Sequence, residues 1–238
     1  MNGTILGVVD KQVIYQDNQT KPNRNIFVVG GPGSFKTQSV VLTNVFNETK
    51  NSIIVTDPKG EVYEKTAGIK IAQGYQVHVV NFANMANSDR YNPFDYINRD
   101  IQAENVANKI VESENKEGKK DVWFSTQRQL LKALILYVMK EREPAKRNLA
   151  GVTQILQEND VEAEEKGEDS PLDKIFLDLN FDHPARRTYE LGFKKAKGEM
   201  KASIIESLLA TISKFVDEEV AKFTSFSDFN LQDIGQQK

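Results

Sequence analysis

The stretch that most constrains this chain is NIFVVGGPGSFKTQSVVLTNVF, residues 25–46. Residues 26–29 form a short apolar run rich in β-branched side chains, which predicts a buried strand. Gly30, Gly31, Pro32 and Gly33 then break it. Lys36 and Thr37 follow, and Val40, Val41, Asn44 and Val45 predict a helix leaving the loop. Strand, glycine loop, Lys-Thr and helix in that order make the context of a phosphate-binding loop. Glycines let successive N–H groups turn inward around an anion without Cβ clashes. The helix N-terminus adds partial positive charge and unpaired donors. Lys36 can place a point charge on the β- and γ-phosphates of a nucleotide, and the Thr37 hydroxyl can ligate Mg²⁺.

One letter departs from G-x-x-x-x-G-K-[ST]. Phe35 stands where the pattern has Gly before the lysine. So large a side chain must point out of the phosphate cradle, toward the base or a neighbour, or else weaken binding. The nucleotide-binding residues are therefore Gly30, Gly31, Pro32, Gly33, Ser34, Phe35, Lys36, Thr37 and Gln38. The alternative is a glycine-rich turn that carries an incidental Lys-Thr pair.

A second segment, NSIIVTDPKGEVYEK, repeats the strand-then-turn pattern, with Ile53, Ile54 and Val55 as the strand and Pro58 and Gly60 in the turn. An apolar strand ending in Asp57 resembles a Walker B carboxylate, which would hold the Mg²⁺ water shell. Asp57 can equally cap the helix that follows. GYQVHVVNF at 74–82 predicts a third strand, and SDRYNPFDYI after it an ordered loop. Ahead of the phosphate loop, residues 1–16 alternate in short apolar bursts and predict a β-hairpin. Strands separated by helices imply right-handed crossovers and a parallel sheet with ligands at the C-terminal strand ends.

From about residue 98 the strand signals stop. Ile101, Val106, Ile110 and Val111 predict an amphipathic helix, residues 112–121 a charged linker, and residues 122–140 a strong helix. Residues 149–156 predict a short helix and the acidic run 158–169 an exposed loop. Ser170-Pro171 with Asp173, and His183-Pro184, are helix starts. Ile204, Ile205, Leu208, Leu209, Ile212, Phe215 and Val216 are the apolar face of a long helix. The basic run Arg186, Arg187, Lys194, Lys195, Lys197 and Lys201 is a solvated face or a contact for DNA or a partner. Residues 224–238 show no closing strand.

Composition narrows the chemistry. Without cysteine there is no disulfide, thiol nucleophile or cysteine metal site, and two histidines, His78 and His183, make a His-based metal site or triad a poor fit. A net charge of −3 lacks the basic balance of a free-standing nucleic-acid binder. No apolar run reaches the ~20 residues of a membrane span.

GGPGSFKT, SIIVTDPKGE and YQVHVVNFANMANSDRYNPFDYI together resemble the coupling proteins of type IV secretion and conjugation systems, in the variant of Gram-positive conjugative elements. The resemblance covers almost the whole chain. It implies an α/β fold, a partial RecA-like P-loop nucleotide-binding sheet with an inserted all-α domain. Residues 1–97 would be the N-terminal part of the nucleotide domain, 98–223 the all-α domain, and 224–238 the return to the rest of the motor domain. It implies an ATPase that translocates DNA, with ATP and Mg²⁺ as cofactors and Lys36, Thr37 and Asp57 as catalytic residues. Mg²⁺ would be held by Thr37 and, through water, by Asp57. Implied partners are the relaxase and accessory transfer proteins, single-stranded DNA and the secretion channel. The full-length protein would be a homo-hexamer at the cytoplasmic face of the cell membrane. The family's membrane anchor and its Walker B acidic pair have no counterpart here. The chain therefore reads as a soluble fragment, inactive alone. Two other classes stay open: a docking adaptor with a degenerate loop, and a self-contained P-loop NTPase or kinase.

Overall fold

The computed structural model describes residues 3–17, 25–115, 121–158, 169–196 and 198–236. The acidic run at 159–168, residues 116–120 of the charged linker, and Lys197 lie outside them. The chain divides into two compact units, Met1–His78 with Asn230–Lys238, and Val79–Phe229.

In the first unit the expected hairpin forms. β1 (Gly3–Val9) pairs antiparallel with β2 (Gln12–Asp17), with a register irregularity between Ile5 and Gly7. Asp10 and Lys11 turn it, both left-handed at φ 49° and 65°. Two consecutive left-handed residues match the twist of the flanking strands. After the glycine loop, Thr37–Leu42 winds as a π-helix and continues directly into α1 (Thr43–Asn47). α2 (Glu61–Ala72) packs against both, and Leu42, Val45 and Val62 form a small core with Phe46 and Ile53.

Two polar side chains tie this unit together. Asn44 acts as a substitute strand partner for β1: its Oδ1 accepts from the Ile5 N–H at 2.7 Å and its Nδ2 donates to the Ile5 carbonyl at 2.9 Å. Lys70 is buried. Its ammonium donates to the Glu48 carbonyl and to Gln73 Oε1, and lies 4.6 Å from the Tyr75 ring centre. Burial pulls the Lys70 pKa down, and the Glu48 carboxylate opposes this.

Among the described residues the hairpin is the one ladder-bonded sheet. The segments expected as strands, 26–29, 53–55 and 74–82, carry no ladder bonds there. The first still shows a two-residue alternation. Phe27 and Val29 are 92% and 80% exposed, against 37% for Ile26 and 41% for Val28. His78 is exposed.

The second unit is helical. It comprises α3 (Asp100–Glu114), α4 (Val122–Glu141), α5 (Leu149–Gln157), α6 (Pro171–Leu177), α7 (Pro184–Leu191), α8 (Glu199–Ile212) and α9 (Glu218–Phe223). α4 is its axis. Leu130, Leu131, Leu134, Ile135 and Val138 are fully buried, and α3, α5, α7 and α8 pack around them. The starts read from sequence hold. Asp121 accepts from the Phe124 N–H, Ser170 and Asp173 form a reciprocal capping box, and His183 Nδ1 accepts from the Ala185 N–H. The helix read through Val216 stops at Ile212, and Ser213–Val216 tightens into a 3₁₀ turn. Among the described residues no helix is long and apolar enough to cross a membrane.

The basic run is no uniform solvated face. Lys201 is buried, with its ammonium 2.6 Å from Asp173 Oδ2. Arg186 donates to the Leu177 and Leu179 carbonyls at 2.8 Å each, closing the end of α6. Arg187 and Lys195 are exposed.

The loop read in YNPFDYI is a clasp between residues 91–96 and 223–229 of this unit. Asn92, buried, donates to the Arg147 carbonyl at 2.8 Å and to the Ser225 carbonyl at 3.3 Å, and accepts from the Phe94 N–H. Tyr91 stacks on Tyr96 and Phe229, and Phe94 plugs the core. Segments far apart in sequence are thereby joined where the helical unit begins and ends.

Candidate phosphate-binding site

The loop from Gly30 to Thr37 is tightly folded on itself. Gly33 is left-handed, at φ 76°, as glycine permits. At Gly30 a Cβ would lie 2.4 Å from Ser34 Oγ, so the serine hydroxyl would have to turn out of its present place. Ser34 donates from both N–H and Oγ to the Gly31 carbonyl, at 3.3 and 2.8 Å. The Lys36 ammonium curls over the loop. It donates to the Gly30 carbonyl at 2.5 Å, the Gly31 carbonyl at 2.8 Å and Ser34 Oγ at 3.3 Å. A lysine gathered into the curl of its own glycine loop stands where it can meet an anion held by that loop.

Phe35 is also left-handed, at φ 57°. This is the conformation that glycine supplies without penalty, and in any other residue it costs about 1–2 kcal/mol. The departure from the phosphate-loop pattern is therefore in side chain and not in backbone. Phe35 is 68% exposed. Lys36 already has helical angles, φ −51° and ψ −49°, which makes Phe35 the last non-helical residue before the helix. Thr37 is half-buried at the first turn, Gln38 is exposed, and Gly31 and Pro32 are exposed at the rim.

Asp57 sits at the start of the DPKG turn. Its Oδ2 accepts from the backbone N–H groups of Val62 and Tyr63, at 2.8 and 2.9 Å. Gly60 makes the turn possible at φ 74° and donates to the Asp57 carbonyl at 3.2 Å. The carboxylate thus caps α2, satisfying orphan N–H donors and meeting the positive end of the helix. The shared core of Leu42, Val45 and Val62 joins the helix behind the glycine loop to the helix behind Asp57. Among the described residues no cluster of three or more His, Asp or Glu side chains could hold a metal ion. A cation here would need phosphate oxygens, water and the Thr37 hydroxyl.

One residue of this site carries no motif letter, Ser39. Ser39 donates to the Phe35 carbonyl from its N–H and its Oγ, at 2.8 Å each. The sequence signal for it is a serine four residues after the non-glycine position. Arg90 belongs to the second unit. It makes a bidentate pair with Asp228, at 2.9 and 2.7 Å, and stacks 3.5 Å from the Phe226 ring centre.

The comparison with known families bears on what such a loop serves. Residues 2–238 match the family described as type IV secretory system conjugative DNA transfer. The chain belongs to that family. No curated protein matches it. Membership places the chain in conjugative DNA transfer through a type IV secretory system.

Proposed function

We propose that this chain supplies the nucleotide grip and the helical docking unit of a coupling motor, which hydrolyses ATP to drive relaxase-bound single-stranded DNA into the secretion channel. The observation that carries this is the Lys36 ammonium on the Gly30 and Gly31 carbonyls, in a loop that leads straight into a helix N-terminus. The chain's membership of a DNA-transfer family supplies the setting.

In this reading Lys36 leaves the loop carbonyls for the β- and γ-phosphate oxygens and offsets charge that grows during phosphoryl transfer. Thr37 would ligate Mg²⁺, which when bound would neutralise phosphate charge. Asp57 holds the turn through α2 and bears on the Mg²⁺ water shell. The apolar segments at 26–29, 53–55 and 74–82 are strands of a RecA-like parallel sheet, for which the two-residue alternation of exposure at 26–29 is the support. The helical unit meets the relaxase and its accessory proteins. The full-length protein works as a hexamer held at the cytoplasmic face of the membrane.

A second reading is a docking module whose loop keeps the fold without the chemistry. The exposed Phe35 in a glycine position favours it. The two separate in the full-length protein. The motor reading expects Lys36→Ala to abolish hydrolysis stimulated by single-stranded DNA and, in matings, conjugative DNA transfer, with protein levels unchanged. Transfer that survives Lys36→Ala overturns the motor and leaves the docking module.

A further inference from the structure

Phe35 is held in a conformation that its side chain disfavours, so something must hold it. The neighbouring bonds identify what does. The Phe35 carbonyl accepts twice from one residue, Ser39 N–H and Ser39 Oγ, at 2.8 Å each. A hydroxyl donating to the carbonyl four residues back is common in helices and by itself means little. Here the acceptor is the left-handed residue on which the helix starts, at φ 57°. The helix at this point is also wound loosely, as a π-turn over Thr37–Leu42, and such turns mark functional sites more often than chance.

We propose that Ser39 is a positioning residue of the phosphate loop: its two hydrogen bonds lock Phe35 left-handed and so aim Lys36 and Thr37 at the anion. The role rests on the phosphate-loop reading, and it exists because position 35 is not glycine. Glycine would hold the same angles unaided. Phenylalanine released from the clamp turns right-handed, and the loop swings away from the helix end. The clamp thus lets a bulky residue face solvent beside the site without spoiling the cradle.

A double-mutant cycle tests this in the whole chain, with two readouts. The first is hydrogen exchange over residues 36–42 without nucleotide. Ser39→Ala should speed exchange there by about fivefold, the scale of one lost side-chain hydrogen bond. In a Phe35→Gly background the same change should do almost nothing, and Ser39→Thr, which keeps the hydroxyl, should restore slow exchange. The second readout is affinity for a fluorescent ATP analogue with Mg²⁺, which should fall with Ser39→Ala only when residue 35 is Phe. Equal effects of Ser39→Ala in both backgrounds, or none in either, overturn the proposal. Background-dependent exchange with no nucleotide binding by any variant upholds the clamp and overturns the nucleotide reading alone.

Discussion

At the scale of single residues, the site turns on which backbone groups each side chain satisfies. Asp57 shows this best. A strand-end aspartate beside a phosphate loop suits Mg²⁺ and a helix cap equally well, and the structure shows the cap, with Val62 and Tyr63 N–H on one carboxylate oxygen. Asparagine caps about as well as aspartate but brings no charge. Asp57→Ala should therefore destabilise the first unit by about 1 kcal/mol in chemical denaturation, and Asp57→Asn by a few tenths at most. Asp57→Asn should still weaken the Mg²⁺-dependent part of nucleotide binding. If the Mg²⁺ dependence of Asp57→Asn matches wild type, Asp57 is a cap alone. Phe35 was legible as an anomaly because its position demands left-handed backbone. Ser39 was not, since no motif weighs the residue that pays for that backbone.

At the scale of elements, the helical unit is fastened by a buried ionic knot. Asp173 Oδ2 takes the Lys201 ammonium at 2.6 Å and Ser170 Oγ at 2.8 Å, and Oδ1 takes the Tyr189 hydroxyl at 2.9 Å. Helices α6, α7 and α8 therefore meet on one carboxylate. Burial alone would raise its pKa, but the bonds from Lys201, Ser170 and Tyr189 outweigh it and hold the carboxyl below its ordinary value. A depressed carboxylate stabilises the fold above its unfolded pKa, near 4, and that contribution is lost as pH falls through the lower folded value. Denaturation followed by helix signal should thus show stability falling below about pH 4, with that acid limb reduced in a double Asp173→Leu, Lys201→Met variant. Either single change should cost about 3–5 kcal/mol, because it strands a buried charge, and the double change much less. Additive losses would mean that the pair is not a unit. The helix starts on either side of this knot were readable from Ser170-Pro171 and His183-Pro184. The knot itself was not: Lys201 belongs to a basic run that looks solvated in sequence, and its partner lies 28 residues away.

At the scale of the whole molecule, local grammar was legible and long-range closure was not. Glycine, proline and apolar periodicity located the hairpin, the glycine loop's turn, the DPKG turn and the axial helix α4, because each is decided within a dozen residues. The clasp at Asn92 and the pair of Arg90 with Asp228, 138 residues apart, are set by where the chain returns, which no local pattern encodes. The expected strands are a related case. Their sequence is strand-like, yet a ladder needs partners, and among the described residues only β1 and β2 have them. What the molecule is for rests on the glycine loop. The most direct measurement is therefore titration of this 238-residue chain with a fluorescent ATP analogue, with and without Mg²⁺, beside Lys36→Ala. The account predicts binding that strengthens with Mg²⁺ and is lost in Lys36→Ala. Binding indifferent to both Mg²⁺ and Lys36, or none at all, would contradict it.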